Sequence, residues 1–224
     1  IILIYLHAKL GEGLSNQMRM TKSMGMNYSV KWWKKNKMKT PPEINPCDFI
    51  LKKIDWRYEK GKPAITESAV VFGDSANELK AISERAIKND IKFSLLFTSP
   101  PYCSITDYHA DQWLRLWLLG GEANGNSLKE KHKGRFVSKQ DYHDLLDNVF
   151  GLCSKMMKRK STIYVRTDQR EFTLNTTLDI LKKYFPKHNV QIIDKPLKKD
   201  TKTQTKLYGD KSMKPGEVDI VLTK

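Results

Sequence analysis

A chain of 224 residues is long enough for one domain with a full core, and no apolar run approaches the roughly 20 residues of a membrane-spanning helix. The apolar start Ile1–Leu6 is too short to span a bilayer, and no signal-peptide pattern follows it. Lysine and arginine number 40 against 25 aspartates and glutamates, which favours a polyanionic partner, although AT-rich coding also yields lysine-rich chains. Three isolated cysteines, Cys47, Cys103 and Cys153, offer no zinc spacing and fit a reducing cytoplasm.

Residues 1–64 are predicted to form a partly irregular, helical N-terminal segment. Glycines within Gly11–Gly13 follow a possible strand at Ile1–Leu6, but no acidic residue ends that strand, so a turn or helix start fits better than a cofactor loop. Aromatic and basic residues alternate around Trp32–Trp33, a pattern that suits a DNA or partner contact and equally suits core anchors beside solvated lysines. A helix is predicted over Asp48–Glu59.

The next segment predicts a short strand at Ala69–Phe72 that runs into Gly73-Asp74-Ser75. A helix from about Ala76 to Lys88 follows, so Asp74 or Ser75 is a candidate helix cap.

A second apolar run, Phe93–Thr98, predicts a buried strand that stops at a double proline in Ser99-Pro100-Pro101-Tyr102. Each proline fixes its own φ and pushes the preceding residue toward extended geometry. The turn is therefore stiff, and it lies at the carboxyl end of a strand, where open α/β sheets bind ligands.

Ser-Pro-Pro-Tyr after a hydrophobic strand resembles motif IV of the DNA amino-methyltransferases, and the preceding order of strand, Gly-Asp-Ser and helix is similar to that family too. The resemblance implies a Rossmann-like class I methyltransferase sheet with helices on both faces, S-adenosylmethionine (AdoMet) as cofactor and no metal. It implies that Asp74 accepts a hydrogen bond from the adenine amine of AdoMet. The implied catalytic residues are Ser99, Pro100, Pro101 and Tyr102, and the implied cofactor-binding residues are Gly73, Asp74, Ser75 and Thr98.

The residue types of the turn also suit the chemistry that the resemblance implies. An exocyclic amine is a poor nucleophile because its lone pair is delocalised into the ring. Neutral acceptors such as the Ser99 hydroxyl and the Pro100 carbonyl can favour a localised lone pair by accepting from its N–H groups. The methylated nitrogen loses its proton afterwards, so no strong base is needed before attack. Because a base in a duplex is out of reach, the target must be flipped out, and the ring of Tyr102 offers a face to hold it.

The remainder of the chain predicts strands alternating with helices, which indicates a largely parallel sheet. By the resemblance, the last strand inserts antiparallel. Residues 120–139 are rich in glycine, asparagine and lysine and predict a mobile basic insert, either over DNA or simply solvated. The predicted elements are a helix at Trp113–Leu119, a helix at Ser138–Met157, a turn at Lys158–Ser161, a strand at Thr162–Asp168, a helix at Leu174–Phe185, and strands at Val190–Ile193 and Val218–Leu222.

One family feature is absent: no Asp-Pro-Phe-x-Gly-(Ser/Thr)-Gly run occurs in the 224 residues. Residues 65–224 are predicted to form the catalytic domain without the first strand or strands of its sheet. The cofactor signature is expected in a segment before Ile1 or on a second chain.

The sequence therefore favours a site-specific DNA methyltransferase, or its catalytic fragment or subunit, acting on duplex DNA in a bacterial or archaeal cytoplasm, close to the nucleoid. Ser-Pro-Pro-Tyr leans toward cytosine N4, but adenine N6 enzymes also use it. The alternatives are a non-catalytic DNA-binding subunit of a split methyltransferase and an enzyme that methylates RNA or protein glutamine. A role in restriction–modification is expected, without a nuclease motif in this chain.

Overall fold

The computed structural model describes residues 26–35, 37, 45–62, 64, 67–104, 116–121, 137–194 and 216–224. The chain divides into two compact units, residues 1–68 with 107–130 and residues 69–106 with 131–224. The elements are α1 (Met26–Lys35), α2 (Pro46–Tyr58), α3 (Ser75–Lys88), β1 (Phe93–Thr98), α4 (Lys139–Met156), β2 (Met157–Asp168), α5 (Glu171–Tyr184), β3 (Asn189–Ile193) and β4 (Glu217–Thr223). The predicted strand at Ile1–Leu6 and most of the basic insert lie outside the described residues.

The first unit contributes α1 and α2. Helix α2 begins two residues before its predicted start, because the Asn45 side chain accepts a hydrogen bond of 3.0 Å from the Cys47 amide and Pro46 occupies the first helical position. Among the described residues, no helix combines the length and the apolar character that crossing a membrane requires.

The second unit is built on a four-stranded mixed sheet of order β1-β2-β4-β3. Strand β1 pairs parallel with β2, whereas β4 pairs antiparallel with both β2 and β3. Strands β1, β2 and β3 consequently run in one direction, and the last strand lies between β2 and β3 in the opposite one. The antiparallel insertion of the last strand is confirmed. The prediction of a largely parallel sheet is wrong for the described strands. Only β1 and β2 pair parallel, because β4 separates β2 from β3.

One face of the sheet carries the core. Ile163 and Val165 of β2 lie opposite Leu222 and Ile220 of β4, and all four side chains are buried. They pack against buried residues of α4 and α5, among them Tyr142, Leu146, Phe150, Ile180 and Leu181. On the other face, Leu95 and Phe97 of β1 remain exposed. Among the described helices of the second unit, α4 and α5 pack on this one face, and a sheet covered on both faces stays a prediction.

The structure corrects two predicted boundaries in the second unit. Strand β2 follows α4 directly, and Lys158–Lys160 are extended instead of forming a turn, because Met157 already pairs with Phe93. Helix α5 begins at Glu171, three residues before its predicted start, since a carboxylate of Asp168 accepts from the Arg170 amide and turns the chain into the helix.

The predicted strand at Ala69–Phe72 is wrong. This segment has no regular secondary structure, and the side chains of Val70 and Phe72 are 97% and 102% exposed. An isolated strand cannot satisfy its own backbone groups, and the described sheet ends at β1 without a neighbour for this segment.

Candidate active site

The Ser99-Pro100-Pro101-Tyr102 turn follows the last residue of β1, Thr98, which lies opposite Val165 of β2. The carboxyl ends of β1 and β2 meet at this edge of the sheet, together with the amino end of the antiparallel β4. Ser99 is exposed, while Pro100, Pro101 and Tyr102 are half-buried. The sheet thus presents the serine to solvent on a turn whose later residues are packed.

A carboxylate from the last strand holds Tyr102. The Tyr102 hydroxyl donates to Oε1 of Glu217, the first residue of β4, over 3.3 Å. Burial and the Glu217 charge both raise the pKa of Tyr102, while a hydrogen bond from Ser99 acts in the opposite direction. Tyr102 is consequently a neutral phenol at physiological pH.

The residue after the turn is held from a second side. Cys103 is 3% exposed, and its carbonyl oxygen accepts a hydrogen bond from Nη2 of Arg170. The same guanidinium binds the buried carboxylate of Asp168 through Nε at 3.1 Å and Nη2 at 2.9 Å. The hydrogen bond to Asp168 raises the pKa of Arg170 further. Asp168 therefore orients an arginine that fixes the backbone beside Tyr102.

A third contact follows at Ser104, whose φ of 58° lies in the left-handed region that non-glycine residues rarely adopt. The Ser104 hydroxyl donates to the carbonyl of Val137 over 3.2 Å, immediately before α4. The turn thus leaves β1 and is anchored by β4, by α5 and by the approach to α4.

The implied cofactor-binding residues Gly73, Asp74 and Ser75 lie at the amino end of α3. Asp74 caps this helix, since its Oδ1 accepts from the Ala76 amide over 3.0 Å. A Cβ on Gly73 would meet the Glu78 side chain at 2.4 Å, so this position requires glycine while Glu78 folds over it. The structural role of Asp74 as a cap is present, and its role toward AdoMet stays a prediction.

A second polar cluster lies on the open face of the sheet. Arg166 donates to both carboxylate oxygens of Asp219, with Nε–Oδ1 at 2.7 Å and Nη2–Oδ2 at 2.9 Å, and the Tyr164 hydroxyl donates to Oδ2. Burial would raise the pKa of Asp219, but the hydrogen bonds from Arg166 and Tyr164 outweigh it and lower the pKa. Phe97 stacks on Tyr164 with ring centroids 4.9 Å apart. The cluster joins β2 to β4 close to the candidate site.

Comparison with protein-family models and with curated proteins returns no match. Within the described ranges, no three histidine, cysteine, aspartate or glutamate side chains come together as a metal site.

The sequence identified the turn but missed the residues that hold it. Asp168 and Arg170 lie two residues apart at the end of a strand, a local signal that could have been read as a capping turn. Glu217 lies 115 residues after Tyr102, and only the antiparallel insertion of β4 brings the two together.

Proposed function

We propose that this chain is the catalytic part of an AdoMet-dependent methyltransferase that methylates the exocyclic amine of a flipped-out DNA base. The observation that carries the proposal is the anchored turn: Ser99 is exposed, while Tyr102 and Cys103 are held by Glu217 and Arg170. An accessible serine on a fixed backbone at the carboxyl edge of a sheet is suited to contact a bound ligand in a defined geometry.

The Ser99 hydroxyl and the Pro100 carbonyl accept hydrogen bonds from the two N–H groups of the target amine in this proposal. These acceptors favour a tetrahedral nitrogen with a localised lone pair. Because the turn is fixed before the base arrives, little reorganisation is needed in the transition state, which is the usual source of electrostatic catalysis. The half-buried ring of Tyr102 supplies a surface for the base.

AdoMet, when bound, supplies the methyl group. The residues at the start of α3 fit its adenosine end: Asp74 offers a carboxylate acceptor two residues from the exposed ring of Phe72. The described residues contain no glycine-rich run that would cradle the rest of the cofactor. We therefore propose that a second polypeptide, or residues encoded upstream, carries that motif.

Duplex DNA is the proposed nucleic-acid partner, in keeping with 40 basic against 25 acidic residues. Phosphate binding by lysine and arginine weakens steeply with salt, so retention of DNA at low salt and its loss at high salt is expected. Whether the target is cytosine N4 or adenine N6 follows from analysis of the methylated nucleoside.

The test is transfer of tritium from labelled AdoMet to mixed-sequence duplex DNA. We would measure this chain alone and this chain extended by the residues encoded upstream. Transfer that depends on Ser99 supports the proposal: Ser99→Ala should lower the rate, whereas Ser94→Ala, at an exposed serine of β1, should not.

Other outcomes favour other functions. Binding of DNA without transfer in either form would support a non-catalytic DNA-binding subunit. Transfer of the label to RNA or to protein glutamine, with none to DNA, would indicate that RNA or a protein is the substrate. Transfer that is unchanged by Ser99→Ala would contradict the proposed site.

A further inference from the structure

A group of exposed cations lies where β2 begins, at the end of the sheet opposite the Ser-Pro-Pro-Tyr turn. Four residues of β2, Lys158–Ser161, lie opposite the single residue Ser94 of β1, so this part of β2 is a wide bulge. The first three of them, Lys158, Arg159 and Lys160, are exposed. The bulge therefore carries three consecutive positive charges on the surface.

Two further cations join the bulge at the ends of β3 and β4. The Ser161 hydroxyl and Nε2 of His188 are 3.1 Å apart, so the residues that precede β2 pairing and β3 pairing meet across the end of β4. Lys187 directly precedes His188. Lys224 directly follows the last residue of β4, which pairs with both β2 and β3, and both lysines are exposed. We call these five residues the basic end: Lys158, Arg159, Lys160, Lys187 and Lys224.

The charges of the basic end act on one another. Loss of hydration, and then the charges of Arg159 and Lys187, lower the pKa of Lys224. Burial, and then the charge of Lys224, lowers the pKa of His188. Among the described residues, every ion pair lies elsewhere, and none joins a carboxylate side chain to the basic end. Like charges that are not neutralised make the folded state less stable, and they attract a polyanion.

The opposite end of the sheet has no such surplus among the described residues of β2, β4 and the start of α5. There Arg166 is paired with Asp219 and Arg170 with Asp168, and Glu217 adds a third carboxylate. Along β2, six residues separate the middle of the bulge from the residue opposite the last residue of β1. At about 3.3 Å for each residue, the basic end lies roughly 20 Å from the turn. It is therefore a separate surface.

We infer that the basic end binds the phosphate backbone of duplex DNA, at a surface separate from the candidate active site. The inference rests on the DNA partner of the proposed function but not on methyl transfer. Lysine and arginine neutralise phosphates without reading the bases, so this contact holds the duplex without selecting its sequence. The alternative is a cluster of cations that are only solvated, in keeping with a lysine-rich chain.

The experiment measures binding of this chain to a labelled mixed-sequence duplex by fluorescence anisotropy, over a series of salt concentrations. Two double variants each remove two charges from the basic end: Arg159→Gln with Lys160→Gln, and Lys187→Gln with Lys224→Gln. Each phosphate contact contributes about 0.9 to the slope of log affinity against log salt, so we expect each double variant to lower that slope by about 1.8.

The matched control is Lys80→Gln with Arg85→Gln, which removes the same charge from exposed positions of α3 and should change the slope much less. Folding of each variant is checked by its unfolding midpoint. Since mutual repulsion is removed, the midpoints of the two basic-end variants should equal or exceed that of the parent.

Four results would contradict the inference. An unchanged slope in both basic-end variants, or an equal fall in the control, would overturn it while leaving the DNA partner in place. Preference of the parent for poly-glutamate over DNA would assign an acidic protein as the partner. A parent that does not bind the duplex at low salt would overturn both this inference and the DNA partner of the proposed function. Binding that behaves as expected, without methyl transfer, would overturn the proposed catalysis alone.

Discussion

Arg170 donates a hydrogen bond to the carbonyl oxygen of Cys103, a residue 67 positions earlier in the chain. Cys103 directly follows the Ser-Pro-Pro-Tyr turn, so this contact ties the turn to the amino end of α5. The arginine is itself oriented by Asp168, whose side chain is only 1% exposed. Three residues thus form one unit: a buried carboxylate, an arginine that neutralises it, and the backbone that the arginine holds.

Removal of Arg170 should therefore destabilise the second unit. Arg170→Ala leaves Asp168 buried without its cation, and breaking a buried pair in this way typically costs 3–5 kcal/mol. Because about a third of the Arg170 side chain is exposed, we expect a smaller loss of about 2 kcal/mol in the free energy of unfolding, measured by urea denaturation. Lys183→Ala is the control, since it removes an exposed ion pair with Asp147 and should change stability little. Equal losses for the two variants would contradict this account.

Removal of the Tyr142 hydroxyl, in contrast to removal of Arg170, should not lower the stability of the protein. Tyr142 is fully buried, and within the described part of the chain its hydroxyl has no hydrogen-bond partner. Because an unsatisfied buried hydroxyl costs free energy, Tyr142→Phe should leave the protein equally stable or up to about 1 kcal/mol more stable. Thermal unfolding measures this.

The contrasting variant is Tyr164→Phe, which removes a hydroxyl that donates to Asp219. Hydrogen bonds to charged groups contribute roughly 1.5–3 kcal/mol, so this variant should unfold at a lower temperature. A loss of stability in Tyr142→Phe would mean that its hydroxyl does have a partner in solution.

Local patterns predicted much of the second unit. Strand β2, the amphipathic α4 and the double proline after β1 are each predicted from neighbouring residues, and the structure contains all three, although β2 begins at Met157 instead of the predicted Thr162. The Ala69–Phe72 strand failed because a strand exists only with a neighbour, and sequence pattern cannot supply one. The anchors of the turn were missed for a related reason: Glu217 and Tyr102 meet only because β4 inserts between β2 and β3.

The lowered pKa of Asp219 should make the stability of the folded protein depend on pH. The hydrogen bonds of this side chain to Arg166 and Tyr164 lower its pKa in the folded protein below the usual value of about 3.9. The folded state therefore binds this proton less readily than the unfolded state, so the stabilisation is present above about pH 4 and is lost as the pH falls through the lowered pKa.

Asp219→Asn removes this contribution. We expect the variant to be less stable than the parent at pH 6 and to approach the parent at pH 3, as measured by urea denaturation. Asp179→Asn, at an exposed carboxylate of α5, serves as the control and should follow the parent at both pH values. A constant difference between Asp219→Asn and the parent at both pH values would show that Asp219 acts by packing and not by its charge.

Leu96 and Phe97 are neighbours on opposite faces of β1, and their contrast tests whether the open face is covered by the proposed additional polypeptide. Leu96 packs against the core, so Leu96→Ala should cost roughly 2–3 kcal/mol in either form of the protein. Phe97 is 71% exposed and is held by its stack on Tyr164, so Phe97→Ala should cost only about 1 kcal/mol in this chain. In the chain extended by the residues encoded upstream, the cost of Phe97→Ala should rise toward that of Leu96→Ala, because the added segment would bury the ring. An unchanged cost, measured by urea denaturation of both forms, would show that the added residues do not cover this face of the sheet.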